Sequence, residues 1–128
     1  IDIARALKKS PELISQRIKT LEKKKVIIGY RALINLTLIG ISTYKVDFRL
    51  RKINELKKIL AYAHLNKDIY QVNKTIGGET LEIEFQVKGV EELKKCIEDL
   101  EYEFPDTFEY YNYYIIYKEL KVRFLPYA

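Results

Sequence analysis

The chain has 128 residues, with 23 Lys/Arg against 18 Asp/Glu and 48% apolar side chains. That length suits one ordinary domain, or a small module joined to a domain of about 90 residues, and the apolar share excludes a disordered chain. No apolar run approaches the roughly 20 residues needed to span a bilayer and no signal-peptide pattern opens the chain, so no membrane partner is expected.

In chain order, Ile1–Leu7 places Ile3, Ala4 and Leu7 on one face and predicts a short helix. Lys8 and Lys9 then form a tight connection. Ser10 offers a side-chain oxygen to free backbone N–H groups and reads as an N-cap. Pro11 suits the first helical position, and Glu12 complements the positive helix end. Ile14, Ile18 and Leu21 recur at i, i+4 and i+7, with Leu13 beside them. Ser15, Gln16, Arg17, Lys19, Thr20, Lys23 and Lys24 occupy the other positions. Two helices joined by a brief turn make a helix-turn-helix pair. A thin apolar back and a basic, acid-poor front suit a helix that lies in a DNA groove. Val26–Tyr30 reads as a short strand, and residues 35–43 as a linker.

From residue 44 the pattern is more regular. Tyr44, Val46, Phe48 and Leu50 alternate with Lys45, Asp47, Arg49 and Arg51, a strand with one apolar face. Ile53–His64 follows as a helix with Leu56, Ile59, Leu60 and Ala63 inward. Ile69–Ile76 is a strand, Gly77-Gly78 a hairpin signal, and Leu81, Ile83, Phe85 and Val87 mark the next strand. Val90–Glu103 is a helix closed by Pro105, with Val90, Leu93, Ile97 and Leu100 inward. Phe108–Lys118 is a long strand, and Leu120–Leu125 adds a short edge piece. The fold class is α+β: a partial helix-turn-helix over 1–34, then a ferredoxin-like βαββαβ domain with an antiparallel sheet over 44–128.

Charge is divided unevenly between these parts. Residues 1–35 hold nine Lys/Arg and three Asp/Glu, a net of +6, whereas 36–128 hold fourteen and fifteen, a net of −1. A segregated basic segment is the electrostatic footprint of a polyanion, and double-stranded DNA is the expected partner. A basic helix that only aids solubility is the plainer alternative.

Two helices cover one side of a four-stranded sheet. The last strand (Tyr110, Tyr111, Tyr113, Tyr114, Ile115, Ile116, Tyr117) is apolar or aromatic on both faces. The open face and edge are therefore expected to pack against a second copy. If the first and third strands are neighbours, Lys45, Asp47 and Arg49 face Glu82, Glu84 and Gln86 as cross-strand pairs. The single cysteine, Cys96, lies on an amphipathic helix and reads as a small core residue. A reducing, cytoplasmic setting follows.

The stretch SPELISQRIKTLEKKKVIIGYRALIN, with its RIK-x-LE core and following VI-x-GYRA, resembles the Lrp/AsnC (feast/famine) family of prokaryotic transcription regulators. KTIGGETLEIEFQV and the closing strand extend the resemblance over essentially the whole chain. It implies DNA binding by homodimers, which also assemble into tetramers or octamers, and modulation by an amino-acid effector. It makes Ser10–Leu21 the recognition helix. Within it and just beyond it, Ser10, Glu12, Ser15, Gln16, Arg17, Lys19 and Lys23 form the DNA-binding set, while Ile14, Ile18 and Leu21 pack inward. It matches Gly77, Gly78, Glu79 and Thr80 to the effector-binding turn. The chain departs from the family in three ways. The family's pair follows a further helix, so this chain reads as a piece of a longer protein. Lys25 stands where the family has Gly, at a cost of about 1 kcal/mol if its backbone is left-handed. Thr80 replaces a common acid, with Glu79 and Glu82 nearby.

No metal-spaced Cys/His cluster and no Gly-rich phosphate loop is present, and His64 near a helix end suits a surface or capping role. No catalytic residue, metal or cofactor is expected. The leading expectation is a sequence-specific DNA-binding transcriptional regulator. The alternative is an amino-acid-sensing or assembly module that binds DNA weakly or not at all.

Overall fold

The computed structural model describes residues 2–118 and Leu120. The chain forms two compact units, Ile1–Ile34 and Asn35–Ala128.

The first unit contains helices α1 (Asp2–Ala6) and α2 (Pro11–Lys23). Ser10 caps α2 as its sequence demands: its backbone is extended and its side-chain oxygen accepts the Leu13 N–H at 3.2 Å. Both helices end in the same way. After α1, Lys8 N–H donates to Arg5 O and Lys9 N–H to Ala4 O. After α2, Lys25 N–H donates to Glu22 O and Val26 N–H to Leu21 O. Lys8 (φ 52°) and Lys25 (φ 58°) are left-handed. These nested bonds around a left-handed residue are the Schellman terminator. Apolar coverage is thin. Ala4 is buried and Ile14 and Ile18 are half-buried, but Ile3 and Leu7 remain 55% and 59% exposed.

The stretch Val26–Tyr30, expected as a strand, is not one. A strand needs a hydrogen-bonding neighbour, and no strand of the described residues pairs with it. It runs on as irregular chain, with Ile28 90% exposed.

The second unit opens with a 3₁₀ turn at Leu36–Ile39. It then forms β1 (Ser42–Leu50), α3 (Leu56–Leu65), β2 (Ile69–Lys74), β3 (Leu81–Val87), α4 (Val90–Glu103) and β4 (Phe108–Ile115). The strands form one antiparallel sheet in the order β2-β3-β1-β4, the split βαβ arrangement. β1 starts two residues before the expected Tyr44. Ile53–Glu55 is a 3₁₀ turn, so α3 begins three residues later than its apolar spacing suggests, and Ile53 stays exposed. β2 stops at Lys74 and β4 at Ile115. The expected edge piece Leu120–Leu125 lies outside the described residues apart from Leu120.

Alternation decides the core. Val46, Phe48, Leu81, Ile83 and Phe85 lie on one face of the sheet and are fully buried with Ile59, Leu93, Ile97 and Leu100. Phe48 anchors this cluster, its ring 4.9 Å from Phe108 and 5.7 Å from Tyr111. Cys96 joins the core, and burial pushes its thiol up to about 11. The start of α4 is held by the Glu92 carboxylate, which accepts the Lys88 N–H at 2.9 Å. Its end is held through buried Thr107, whose carbonyl accepts Arg51 N–H at 2.8 Å.

Candidate nucleic-acid interface and effector turn

Helix α2 arranges its polar residues by simple rotation of about 100° per residue. Ile14, Ile18 and Leu21 define the inner side. Glu12, Gln16, Lys19 and Lys23 follow at i, i+4, i+7 and i+11 and form one stripe on the opposite side, all exposed. Ser15 and Arg17 are exposed too but fall on opposite flanks of that stripe. Ser10 stands apart from this set, since its hydroxyl is committed to the cap. The stripe mixes an amide, two ammonium groups and one carboxylate. Amide, ammonium and carboxylate groups are among the side-chain types that can bond base edges or phosphates.

A tie unforeseen from sequence fixes the chain after α2. Tyr30 donates its hydroxyl to Glu22 Oε1 at 2.7 Å, and this bond raises the tyrosine pKa. The acid in a run of lysines hinted that Glu22 had a structural duty, but nothing in the spacing named its partner. Thr20 donates its hydroxyl to the Gln16 carbonyl at 2.9 Å.

In the second unit, the turn between β2 and β3 carries Gly77, Gly78, Glu79 and Thr80. Gly77 is left-handed (φ 88°), where a side chain is disfavoured. Thr75 donates its N–H to Thr80 O at 3.4 Å and its hydroxyl to Glu79 O, closing the turn. Glu79 reaches across the sheet end. Its Oε2 accepts Arg49 Nε at 2.9 Å and its Oε1 accepts the Tyr110 hydroxyl at 2.8 Å. Thr80 Oγ1 accepts Leu50 N–H at 3.3 Å. The turn is thus stitched to β1 and β4. Glu79, the acid nearest the turn's glycines, already holds a cation, as it would have to do for an ammonium group.

Over β1, β2 and β3 the open face of the sheet is polar. Lys45 faces Glu84 and Asp47 faces Glu82 across β1 and β3, while Gln86 faces Thr43 rather than a charge. The close ion pair is diagonal: Lys45 Nζ lies 2.9 Å from Glu82 and 3.4 Å from Asp47. Asn73 of β2 donates to Glu82 at 2.9 Å. The bonds from Lys45 and then Asn73 hold the Glu82 carboxyl below its ordinary value, and the bond to Glu82 raises Lys45. Register with β1 puts Tyr110, Asn112 and Tyr114 on this face, and Tyr111, Tyr113 and Ile115 on the helix side of the edge. These five aromatic and aliphatic side chains are 36–53% exposed. His64, near the end of α3, lines a shallow groove of about 260 Å³ with Leu60, Ile69 and Val72. Among the described residues no His/Cys/Asp/Glu group is arranged to hold a metal, and no helix is long and apolar enough to cross a membrane.

A helix pair followed by a split βαβ sheet defines an α+β class also seen in solved transcription regulators. No family model and no curated protein sequence matches the chain, but solved structures do. AsnC of Escherichia coli is 16% identical with a TM-score of 0.74, over 97% of this chain and 83% of that one. A transcriptional regulator of Neisseria meningitidis in complex with L-Met is 15% identical with a TM-score of 0.80, over 96% and 81%. A feast or famine regulatory protein of Mycobacterium tuberculosis complexed with L-methionine is 16% identical with a TM-score of 0.75, over 97% and 83%. At such identities the likeness establishes the fold: the chain has the architecture of the Lrp/AsnC regulators.

Proposed function

We propose that this chain is a sequence-specific DNA-binding transcriptional regulator of Lrp/AsnC type that acts in the cytoplasm as a homodimer or a higher assembly. Residues 1–34 are its helix-turn-helix module and 44–128 its effector and dimerisation domain, joined by the linker 35–43, whose last two residues already belong to β1. The observation that carries this reading is the exposed stripe Glu12, Gln16, Lys19, Lys23 on a capped helix within a unit of net charge +6. Gln16 and Ser15 read base edges, while Arg17, Lys19 and Lys23 meet phosphates or guanine edges. Self-association uses the aromatic β4 edge and the open face, presenting two α2 helices together.

Binding of a labelled duplex measured across salt tests this. The logarithm of affinity should fall linearly with the logarithm of salt, by about 0.9 per phosphate contacted. A flat response between low and moderate salt rejects the proposal.

A second reading is favoured by the L-methionine bound in two of the structural relatives. In it, the Gly77–Thr80 turn receives an amino acid, whose ammonium displaces Arg49 from Glu79. Calorimetry with L-methionine separates the two. Clear heat without any DNA shift favours a sensor or assembly module over a DNA-binding regulator.

A further inference from the structure

Both left-handed non-glycine residues of the first unit are lysines, and they occupy equivalent places. Lys8 and Lys25 each sit at the left-handed position of a Schellman terminator, one after α1 and one after α2. A side chain at that position is disfavoured, and glycine is the residue that relieves it. The lysine side chains are not needed to cap the helices. Backbone N–H groups of Lys8, Lys9, Lys25 and Val26 already take the carbonyls of Arg5, Ala4, Glu22 and Leu21. Both side chains are exposed, and among the described residues neither forms an ion pair, although Arg5, three residues before Lys8, pairs with Asp2. Attraction to the helix dipole accounts for a cation at either place but not for choosing one that strains the backbone.

The positions also have a common geometry. Lys8 lies two residues before the N-cap of α2, and Lys25 two residues after its last turn. Between them runs a helix of 13 residues, about 20 Å long. A major groove is about 12 Å wide. A helix longer than the groove is wide, laid in it at an angle, brings its two ends toward the flanking sugar-phosphate chains while its first turns face base edges. Resting on the DNA-binding reading above, we propose that Lys8 and Lys25 are a pair of phosphate contacts, one at each end of α2, kept at strained positions because their charge grips the DNA backbone.

The test compares the full chain with Lys8→Gly, Lys25→Gly, the double variant, and the Lys→Arg variants, using anisotropy of labelled duplexes from about 50 to about 200 mM salt. Each glycine variant should flatten the log–log salt slope by about 0.9 and lower affinity near 0.1 M salt roughly tenfold; the double variant should lose about twice that slope. The loss should be equal on two unrelated duplex sequences, as for any phosphate contact. The arginine variants should keep both slope and affinity. The glycine variants should unfold at the same temperature as the parent or a higher one, which separates a lost contact from a damaged helix. An unchanged slope in the glycine variants, or a loss confined to one sequence, overturns the proposal. A parent chain that binds no duplex at any salt overturns the DNA-binding reading itself, a failure visible before any variant is compared.

Discussion

The first unit carries a net charge of +6 and leaves Ile3 and Leu7 more than half exposed, whereas the second carries −1 and closes nine large side chains away from water. The second also satisfies its polar open face internally, through Lys45, Asp47, Asn73 and Glu82. The first spends its polar groups outward, and its non-glycine left-handed turns are both lysines. Burial of apolar area is the main source of stability. The second unit therefore holds its shape by its interior, and the first leaves more of its charge and apolar area at its surface.

Substitutions can break that contrast. The largest effect belongs to Phe48→Ala. Removing a fully buried ring from the sheet centre should cost about 3–5 kcal/mol, measured as a shifted urea midpoint; a loss below about 1 kcal/mol would mean the interior closes less tightly than described. Gln16→Ala should leave the fold alone and cost about 1–3 kcal/mol of discrimination at one base pair. Competition between duplexes differing at single positions would show it, and uniform weakening across all of them would reassign Gln16 to the backbone. Ser10→Ala removes the cap of α2 and should cost about 1 kcal/mol, seen as reduced helix content that Ser10→Asp restores. Smallest is the acid response of Glu82. Its folded-state pKa is depressed by Lys45 and Asn73. It therefore adds stability above its ordinary carboxylate value, and that stability is lost as pH falls through the lowered folded value. Unfolding of Glu82→Gln below about pH 4 should show a shallower pH slope than the parent, and an equal slope would place the acid sensitivity elsewhere.

What could be read in advance follows from how local each cause is. β1, β3 and α4 were visible because alternation and helical spacing in a continuous segment decide which face is buried. The cap at Ser10 and the opposition of Gln16 and Lys19 to Ile14 and Ile18 needed nothing beyond one helix. The supposed strand at Val26–Tyr30 failed because a strand is a property of two segments, and its residues alone do not provide the second. The helix expected from Ile53 started late for a related reason: Ile53 fits the spacing but has no core to enter. The bridge from Arg49 through Glu79 to Tyr110 joins residues about thirty apart, brought together by the register of three strands. Nothing in any one segment announces it. The same holds for the diagonal choice of Glu82 over the directly opposed Glu84 by Lys45.

Cys96 gives this two-part molecule a clock. It is the sole thiol of the chain, it lies in the closed interior of the second unit, and burial raises its pKa to about 11, so at neutral pH it stays protonated and slow to react. Alkylation is then hastened by any opening of the second unit that exposes the thiol further. The rate at which a thiol reagent labels the protein times the opening of residues 35–128 and is blind to fraying of α1 and α2. One side chain thus allows the breathing of the second unit to be followed separately from that of the first.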